Sequence, residues 1–495
     1  MKTKTSISST LLPRLRDLVF IVIFYLVIQV GSMLFADGDP GRHIVSGRYM
    51  LENRTIITTD IYSYTISGQP QTPYVWLSEI LFGLADMLMG LNGVVLLTAV
   101  VLATTFTIIY ADILRKAPTP LIAAGFALLA ALASSLHWLA RPHIFTMLFM
   151  ALWAGRLNRV HRGETIPLWQ FPLIMLFWAN MHGAFIAGFI TWGAYITGWF
   201  LEKWFSAEKP LRSTLNRYLW IGGTSFLATL INPVGWHLWQ TVLGYVTDRY
   251  LVDLTIEYAS PDFHSPISWA ALLFIGLAFF ILSRGWKKSS LAEGLLLMGW
   301  AALGLYGVRN LPIFAIVAAP ILASHIQAVA SGTVRFFRIE AKFHALEKSA
   351  RGLFWPILTV ALVCMLLAGG IHLDPQRIGY RFRPDVFPVQ AVDWVESNPQ
   401  SGNMFNEFGW GGYLIYRLWP DYKVFMDGQL FYGETITRHH QQILNAEPGW
   451  EDVVQQYDIR WMLVPVDEPI ARLLLIHPGW EILYQDDTAL IARKR

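Results

Sequence analysis

Charge is scarce in this chain. Asp, Glu, Lys and Arg make up 15% of its 495 residues, against about 25% in a soluble domain. An ordinary soluble fold is therefore a poor first reading. Cysteine is nearly absent. Cys364 stands alone, so no internal disulfide can form, and its place in an apolar run reads as packing. There is no internal repeat and no low-complexity tract. No small-x-small cleavage site follows the first apolar run, Leu18 to Ala36, which predicts an uncleaved signal anchor. The net charge of +3 says nothing about partners, because the charges are sorted along the chain.

What fills the chain instead is apolar: 54% hydrophobic residues, with 21 Trp. The excess clusters in runs of about 17–22 residues, long enough to cross a hydrocarbon core about 30 Å thick. The fold class is thus mainly α, a polytopic helical membrane protein. Eleven spans are predicted, near 18–36, 91–112, 119–137, 144–158, 167–181, 184–202, 218–232, 267–283, 290–306, 311–328 and 353–371. The fifth is short, is broken at Asn180-Met181-His182-Gly183, and reads as kinked or re-entrant. With these spans, 21 Lys and Arg residues share the side of the N-terminus. Six lie opposite before residue 372, namely Arg42, Arg48, Arg54, Arg141, Arg249 and Arg309. The positive-inside rule then puts the N-terminus in the cytoplasm.

An odd span number puts residues 372–495 outside. Composition shifts there, dividing the chain into a transmembrane domain, 1–371, and a small extracytoplasmic α/β domain, 372–495. In that tail, Asp393-Trp394-Val395 predicts a helix. Lys423 to Met426 and Arg460 to Val464 predict strands. Ile482 to Tyr484 and Ala489 to Ala492 predict a hairpin turning at Asp486-Asp487.

The first outer loop carries the densest chemistry. It opens with Asp37-Gly38-Asp39-Pro40-Gly41-Arg42-His43. Asp39-Pro40 reads as a cap and first helical position, starting a helix that runs to about Asn53. A second amphipathic helix is predicted over 74–90. Its apolar stripe is Trp76, Leu77, Ile80, Leu81, Leu84 and Leu88, with Glu79, Gly83 and Asp86 on the other face. Helices of this kind lie in the interface plane.

Further polar groups collect at the outer ends of spans: His137, Arg141 and His143; Asn180 and His182; Asn232; Glu257, Asp262 and His264; Arg309 and Asn310. Ionisable groups near a membrane that face a bundle are functional candidates. Each also has a structural reading. Asp39 caps a helix, Arg141 and Arg309 snorkel to headgroups, the histidines satisfy helix ends, and Glu79 sits on a solvated face.

An acidic motif after the first span, two juxtamembrane helices, many spans and an outer tail resemble the GT-C superfamily of membrane glycosyltransferases. The chain is more closely similar to a group of bacterial glycosyltransferase-like membrane proteins. The resemblance rests on Asp39 to His43 with Gly47, on Thr59 to Thr65, Trp76 to Glu79 and Trp178 to Gly183, and on Asn232 to Gly235. It continues through Glu257 to Pro261, Arg309 to Pro312, Phe405 to Tyr413 and Val424 to Gly428. Arg42 departs from it, standing where an aromatic is expected.

The resemblance implies inverting transfer of a sugar from a polyprenyl-phosphate donor to an extracytoplasmic acceptor, whether glycan, lipid or protein. It also implies an inner (plasma) membrane location, contact with the lipid bilayer and no nucleic-acid partner. Asp39, His43 and Glu79 are then the candidate catalytic residues. Arg42, Arg141, His143, Asn180, His182, Glu257, Arg309 and Asn310 are candidate substrate contacts. Asp37 and Asp39 are candidate oxygen ligands for a divalent metal such as Mg or Mn. Two other classes remain open: a transporter or flippase for a lipid-linked or anionic substrate, which calls for repeats and midplane charges, and a non-catalytic assembly protein.

Overall fold

The computed structural model describes residues 12–116, 119–205, 211–247, 256–285, 290–330, 334–349, 353–369 and 380–495. The expected boundary near 372 lies outside them. The chain forms two compact units. The first comprises Met1–Gln29, Leu96–Trp138 and Pro142–Pro375. The second comprises Val30–Val95, Leu139–Arg141 and Gln376–Arg495. The tail therefore shares its unit with the whole first loop.

The membrane-type helices begin with α1 (Leu15–Gln29). Two loop helices follow, α2 (Asp39–Asn53) and α3 (Trp76–Met89), then α4 (Leu91–Lys116), α5 (Pro120–Ser134), α6 (His143–His161), α7 (Gln170–Met181), α8 (Ile186–Phe205), α9 (Arg212–Thr229) and α10 (His237–Thr247). They continue with α11 (Trp269–Gly285), α12 (Leu291–Tyr306), α13 (Leu311–Ala330), α14 (Val334–Ser349) and α15 (Phe354–Ala368). Each expected span coincides with a helix. Among the described residues, four segments are long and apolar enough to cross a membrane: Leu91–Lys116, Pro120–His137, Gly183–Phe205 and Val308–Ile326. By this length criterion the count of eleven is not confirmed. At about 1.5 Å per residue, the 15 residues of α1 and the 12 of α7 fall short of a hydrocarbon core about 30 Å thick. The run 18–36 is not one helix either, since Gly31–Phe35 is a separate 3-10 turn. Large apolar side chains such as Trp204, Phe279, Tyr306, Ile357 and Met365 are exposed, a surface suited to lipid rather than water.

Two helices, α10 and α14, were not expected. α14 has a clear job within the first unit. Its Glu340 carboxylate accepts the backbone N–H of Leu121 at the start of α5 (3.1 Å). Its Glu347 accepts the N–H of Arg16 at the start of α1 (3.0 Å). Glu202 of α8 does the same for Leu291 at the start of α12 (2.9 Å). Helix starts leave backbone donors unpaired and carry partial positive charge, so a carboxylate from a neighbour satisfies both.

In the second unit the tail forms α16 (Val389–Ser397), β1 (Asn403–Asn406), α17 (Gly411–Leu418), α18 (Gly433–Leu444), α19 (Trp450–Gln456), β2 (Ile459–Pro465), α20 (Pro469–Leu474), β3 (Trp480–Gln485) and β4 (Ala489–Lys494). The sheet order is β1-β2-β4-β3, with β1 parallel to β2 and the other pairs antiparallel. The helix at 393–395, the strand at 460–464 and the terminal hairpin are where the pattern puts them. Lys423 to Met426 is not a strand. Val424 makes one isolated bridge, to Ser63 of the first loop. Ile66 of that loop packs into the tail's core with Phe405, Phe425 and Trp450.

Glu340→Ala is expected to lower the thermal midpoint of the detergent-solubilised protein through a cap loss of about 1 kcal/mol. Glu340→Gln, which keeps an accepting oxygen, loses less. Equal midpoints for wild type and Glu340→Ala would remove the capping role.

Candidate functional site

The second unit is organised around the first turns of α2. Helical geometry starts at Asp39, with Gly38 at the cap position and Pro40 in the first turn. Gly38 leaves the cap without a side-chain bond. The Asp39 carboxylate turns to Arg141, 2.7 Å away, and the same guanidinium reaches Asp37 at 3.0 Å. Asp39 is 9% exposed, and the Arg141 side chain keeps 23%. A small gap to solvent thus remains at this triad. Gly428 closes the other side, because a Cβ there would collide with the Asp39 carboxylate.

Arg42, expected as a substrate contact, lies one turn on and is paired inside the unit. Its guanidinium is buried and donates to both oxygens of Asp427, at 3.0 and 2.7 Å, and to Gln71 Oε1 at 2.9 Å. It also lies over the Tyr62 ring, 5.1 Å from the centroid. Burial opposes its charge, but Asp427 beside it holds the guanidinium pKa above the ordinary arginine value. Gln71 passes the network to Asp60 (3.2 Å), whose other oxygen accepts the backbone N–H and hydroxyl of Ser63 (3.0 and 2.7 Å). Nearby, the Tyr74 hydroxyl donates to Gln429 at 3.3 Å, and burial pushes its pKa up to about 12, so it stays a neutral donor. Arg42 is thus held by Asp427 and Gln71 inside the unit.

His43 and Glu79 are also paired inside the unit, Nδ1 to Oε1 at 2.9 Å. Both are buried, so the pair fastens α2 to α3 rather than facing solvent. This inverts the expected polarity of α3. Its buried residues are Ser78, Glu79, Phe82, Gly83 and Asp86, while Leu84, Met87 and Leu88 are exposed. The cause is close backbone contact. A Cβ on Gly47 would fall onto the Glu79 carbonyl, and one on Gly83 onto the backbone of Gly47 and Arg48. The glycine face has to turn inward, and the charges beside it pair: Arg48 meets Asp86 at 3.2 Å.

The segment 408–413 is a packing turn. Glu407 accepts the N–H groups of Gly409 (2.7 Å) and Trp410 (2.8 Å). Trp410 and Tyr413 are buried, and Gly412 lets α17 approach the Gly38 carbonyl.

The remaining candidates lie in the first unit. His143 Nε2 is 2.6 Å from the His137 carbonyl, and His137 Nε2 lies 3.8 Å from Glu257. The Arg309 guanidinium stacks 4.4 Å from the centroid of Tyr258. Asn310 donates to the Leu303 carbonyl at 3.1 Å. Asn180 donates to the carbonyls of Leu176 and Ile231 (2.8 and 2.9 Å), joining two helix ends. His182 Nδ1 pairs with the Thr146 hydroxyl at 2.8 Å. Of these, His137, His143 and Glu257 lie together, and Arg309 stacks on the neighbouring Tyr258. Asn180 and Asn310 serve the backbone.

No group of three or more His, Cys, Asp or Glu gathers as a metal set among the described residues. Asp37 and Asp39 fit a divalent ion poorly, since Arg141 already lies between their carboxylates as the compensating cation. Asp427, Gln71 and Asp60 are the site residues that sequence reasoning missed. The available signals were the Asp427-Gly428 turn pair and the acidic residue in Thr59 to Thr65.

Neither a family model nor a curated protein matches this sequence. Solved structures match its fold. The oligosaccharyltransferase of Archaeoglobus fulgidus in its apo form aligns at TM-score 0.59 and 13% identity, covering 91% of this chain and 70% of that chain. The same figures, with 69% of the other chain, hold for that archaeal enzyme, AglB, in complex with an inhibitory peptide and a dolichol-phosphate. Its complex with Zn and sulfate aligns at TM-score 0.56 and 12% identity, covering 90% and 68%. The likeness is one of fold.

Asp427→Asn leaves a buried guanidinium uncompensated and is expected to cost about 3–5 kcal/mol. Arg42→Met combined with Asp427→Leu should recover much of that loss. Denaturation in detergent reads both, and a double variant worse than Asp427→Asn alone would overturn the pairing argument.

Proposed function

We propose that this chain is a membrane glycosyltransferase. In this reading it moves a sugar from a polyprenyl-phosphate donor to an acceptor hydroxyl or amide outside the membrane, with inversion at the anomeric carbon. The observation that carries it is Asp39. A near-buried carboxylate stands at the start of a helix, oriented by Arg141, in a fold that matches an oligosaccharyltransferase. The neighbour solved with an inhibitory peptide and a dolichol-phosphate supports a lipid phosphate and an extracytoplasmic acceptor as the two substrates here.

The step balances simply. The acceptor heteroatom attacks the anomeric carbon while Asp39 takes its proton, and the bond from that carbon to the phosphate oxygen breaks. The polyprenyl phosphate leaves with the electron pair. Arg141 holds Asp39 in place through a charge-assisted hydrogen bond. His43 and Glu79 set the position of α2 rather than touching substrate. No step is assigned to a metal, because Arg141 takes the place between the two carboxylates.

The test is transfer from a defined polyprenyl-phosphate sugar by purified protein. Asp39→Asn should lower the rate about 10²-fold or more, the usual worth of a positioned acid or base, with little change in thermal midpoint. Gly428→Ala, which pushes on the same carboxylate, should cut the rate with Asp39 still present. Unchanged transfer by Asp39→Asn would remove the base assignment. A folded wild type that binds no donor would remove the enzyme reading.

A further inference from the structure

The first unit contains a cavity of about 870 Å³. Its walls come from α1, α4, α6 and α15. Val100, Thr104 and Ile108 line it from α4, and Ile357, Val360 and Ala361 from α15. The spacing of three and four residues puts each set on one helix face. At the Lys/Arg-rich ends of these helices the lining changes character, to Arg16, Arg115, Arg156 and Arg159 with Asp17 and Asp112. Four arginines against two aspartates leave a net charge of +2.

The pairing within that group is uneven. Asp17 is taken by Arg14 at 2.9 Å, Asp112 by Arg115 at 2.6 Å, and Arg159 by Glu164 at 2.8 Å. Arg156 donates only to neutral oxygens, Gln170 Oε1 at 2.6 Å and the Leu152 carbonyl at 3.0 Å. Arg16 has a buried Nε with no hydrogen-bond partner among the described residues. Carboxylates lie near both cations, Glu347 and Asp17 by Arg16 and Asp112 by Arg156, yet Arg156 bonds neutral oxygens and the buried Arg16 Nε bonds nothing among the described residues. A buried donor without a partner is costly, so a ligand that supplies one is favoured.

The groove's length identifies the ligand class. From Arg115 back to Val100 along α4 is about 22 Å at 1.5 Å per residue. One leaflet of hydrocarbon is about 15 Å deep, half the core thickness. The groove therefore reaches from headgroup level through one leaflet. A free phosphate would use only its charged end. Basic pockets between membrane helices suit anionic headgroups.

We propose that this groove binds an anionic phospholipid of the leaflet on the Lys/Arg-rich side. The phosphate sits at Arg16 and Arg156, and one acyl chain lies between α4 and α15. The proposal rests on the membrane reading but not on glycosyl transfer.

Cys364, the chain's single cysteine, lines the same cavity and serves as a reporter. The rate of its alkylation by a maleimide is measured on full-length, delipidated protein in detergent. Phosphatidylglycerol should slow the reaction about tenfold and phosphatidylcholine should not. Arg16→Gln and Arg156→Gln should each raise the protecting concentration about tenfold, the size of one charge-assisted contact. Equal protection by the two lipids would overturn the proposal, as would protection by inorganic phosphate alone. Stronger protection by a polyprenyl phosphate than by phosphatidylglycerol would also overturn it and assign the groove to a polyprenyl lipid. The comparison of lipids uses wild-type protein, so it stands even where an arginine variant fails to fold.

Discussion

The second unit depends on one buried ion pair. Arg42 and Asp427 lie 385 residues apart in sequence and share two hydrogen bonds away from water. Neither tolerates burial alone, because an isolated charge in a low-dielectric interior costs far more than a lost contact. The first loop cannot bury α2 until the tail supplies Asp427, and the tail cannot bury Asp427 until α2 supplies Arg42. The rest follows from that mutual need. Val424 pairs with the backbone of Tyr62 and Tyr64, Thr65 bonds the Phe425 carbonyl, and Gly428 arrives against Asp39. The wall beside Asp39 is thus placed through that pair.

The same constraint explains the inverted α3. A helix with one apolar and one polar face normally buries the apolar face in water. Here the polar face carries the partners that α2 requires, Glu79 for His43 and Asp86 for Arg48. Gly83 allows the backbones to meet. The apolar face is left outward, which is costly against water and favourable against lipid. An interfacial helix that keeps its charges inside and its leucines outside fits a membrane surface, and the buried charges fix its rotation about its own axis.

This also marks what the sequence could and could not reveal. Local signals were legible. The start and end of α2, the length of α3, the terminal hairpin and strand β2 all follow from capping residues, turn pairs and periodicity, which act over a few residues. The pairing of Arg42 was not legible, because its partner lies in the tail and no local pattern points to it. Lys423 to Met426 has strand composition but forms only one bridge, since the first loop supplies a short partner. Helices α10 and α14 were missed because neither has a long apolar run, and α14 exists to cap other helices. The motifs behind the resemblance, Asp39 to His43, Thr59 to Thr65 and Val424 to Gly428, turn out to be one cluster, for reasons of packing as much as of chemistry.

The electrostatics of that cluster limit what it does. Arg42 with Asp427 is neutral overall, and Arg48 with Asp86 likewise. Arg141 offsets only one of the two charges on Asp37 and Asp39, so the exposed corner carries net negative charge. A corner of that sign attracts a proton and orients a hydroxyl or amide donor. It repels a phosphate. Under the proposed function, the acceptor would be the substrate that this corner suits, and a leaving phosphate would find its positive charge from groups beyond it. Replacing Arg141 would then harm acceptor handling first, through the orientation of Asp39, and donor binding less.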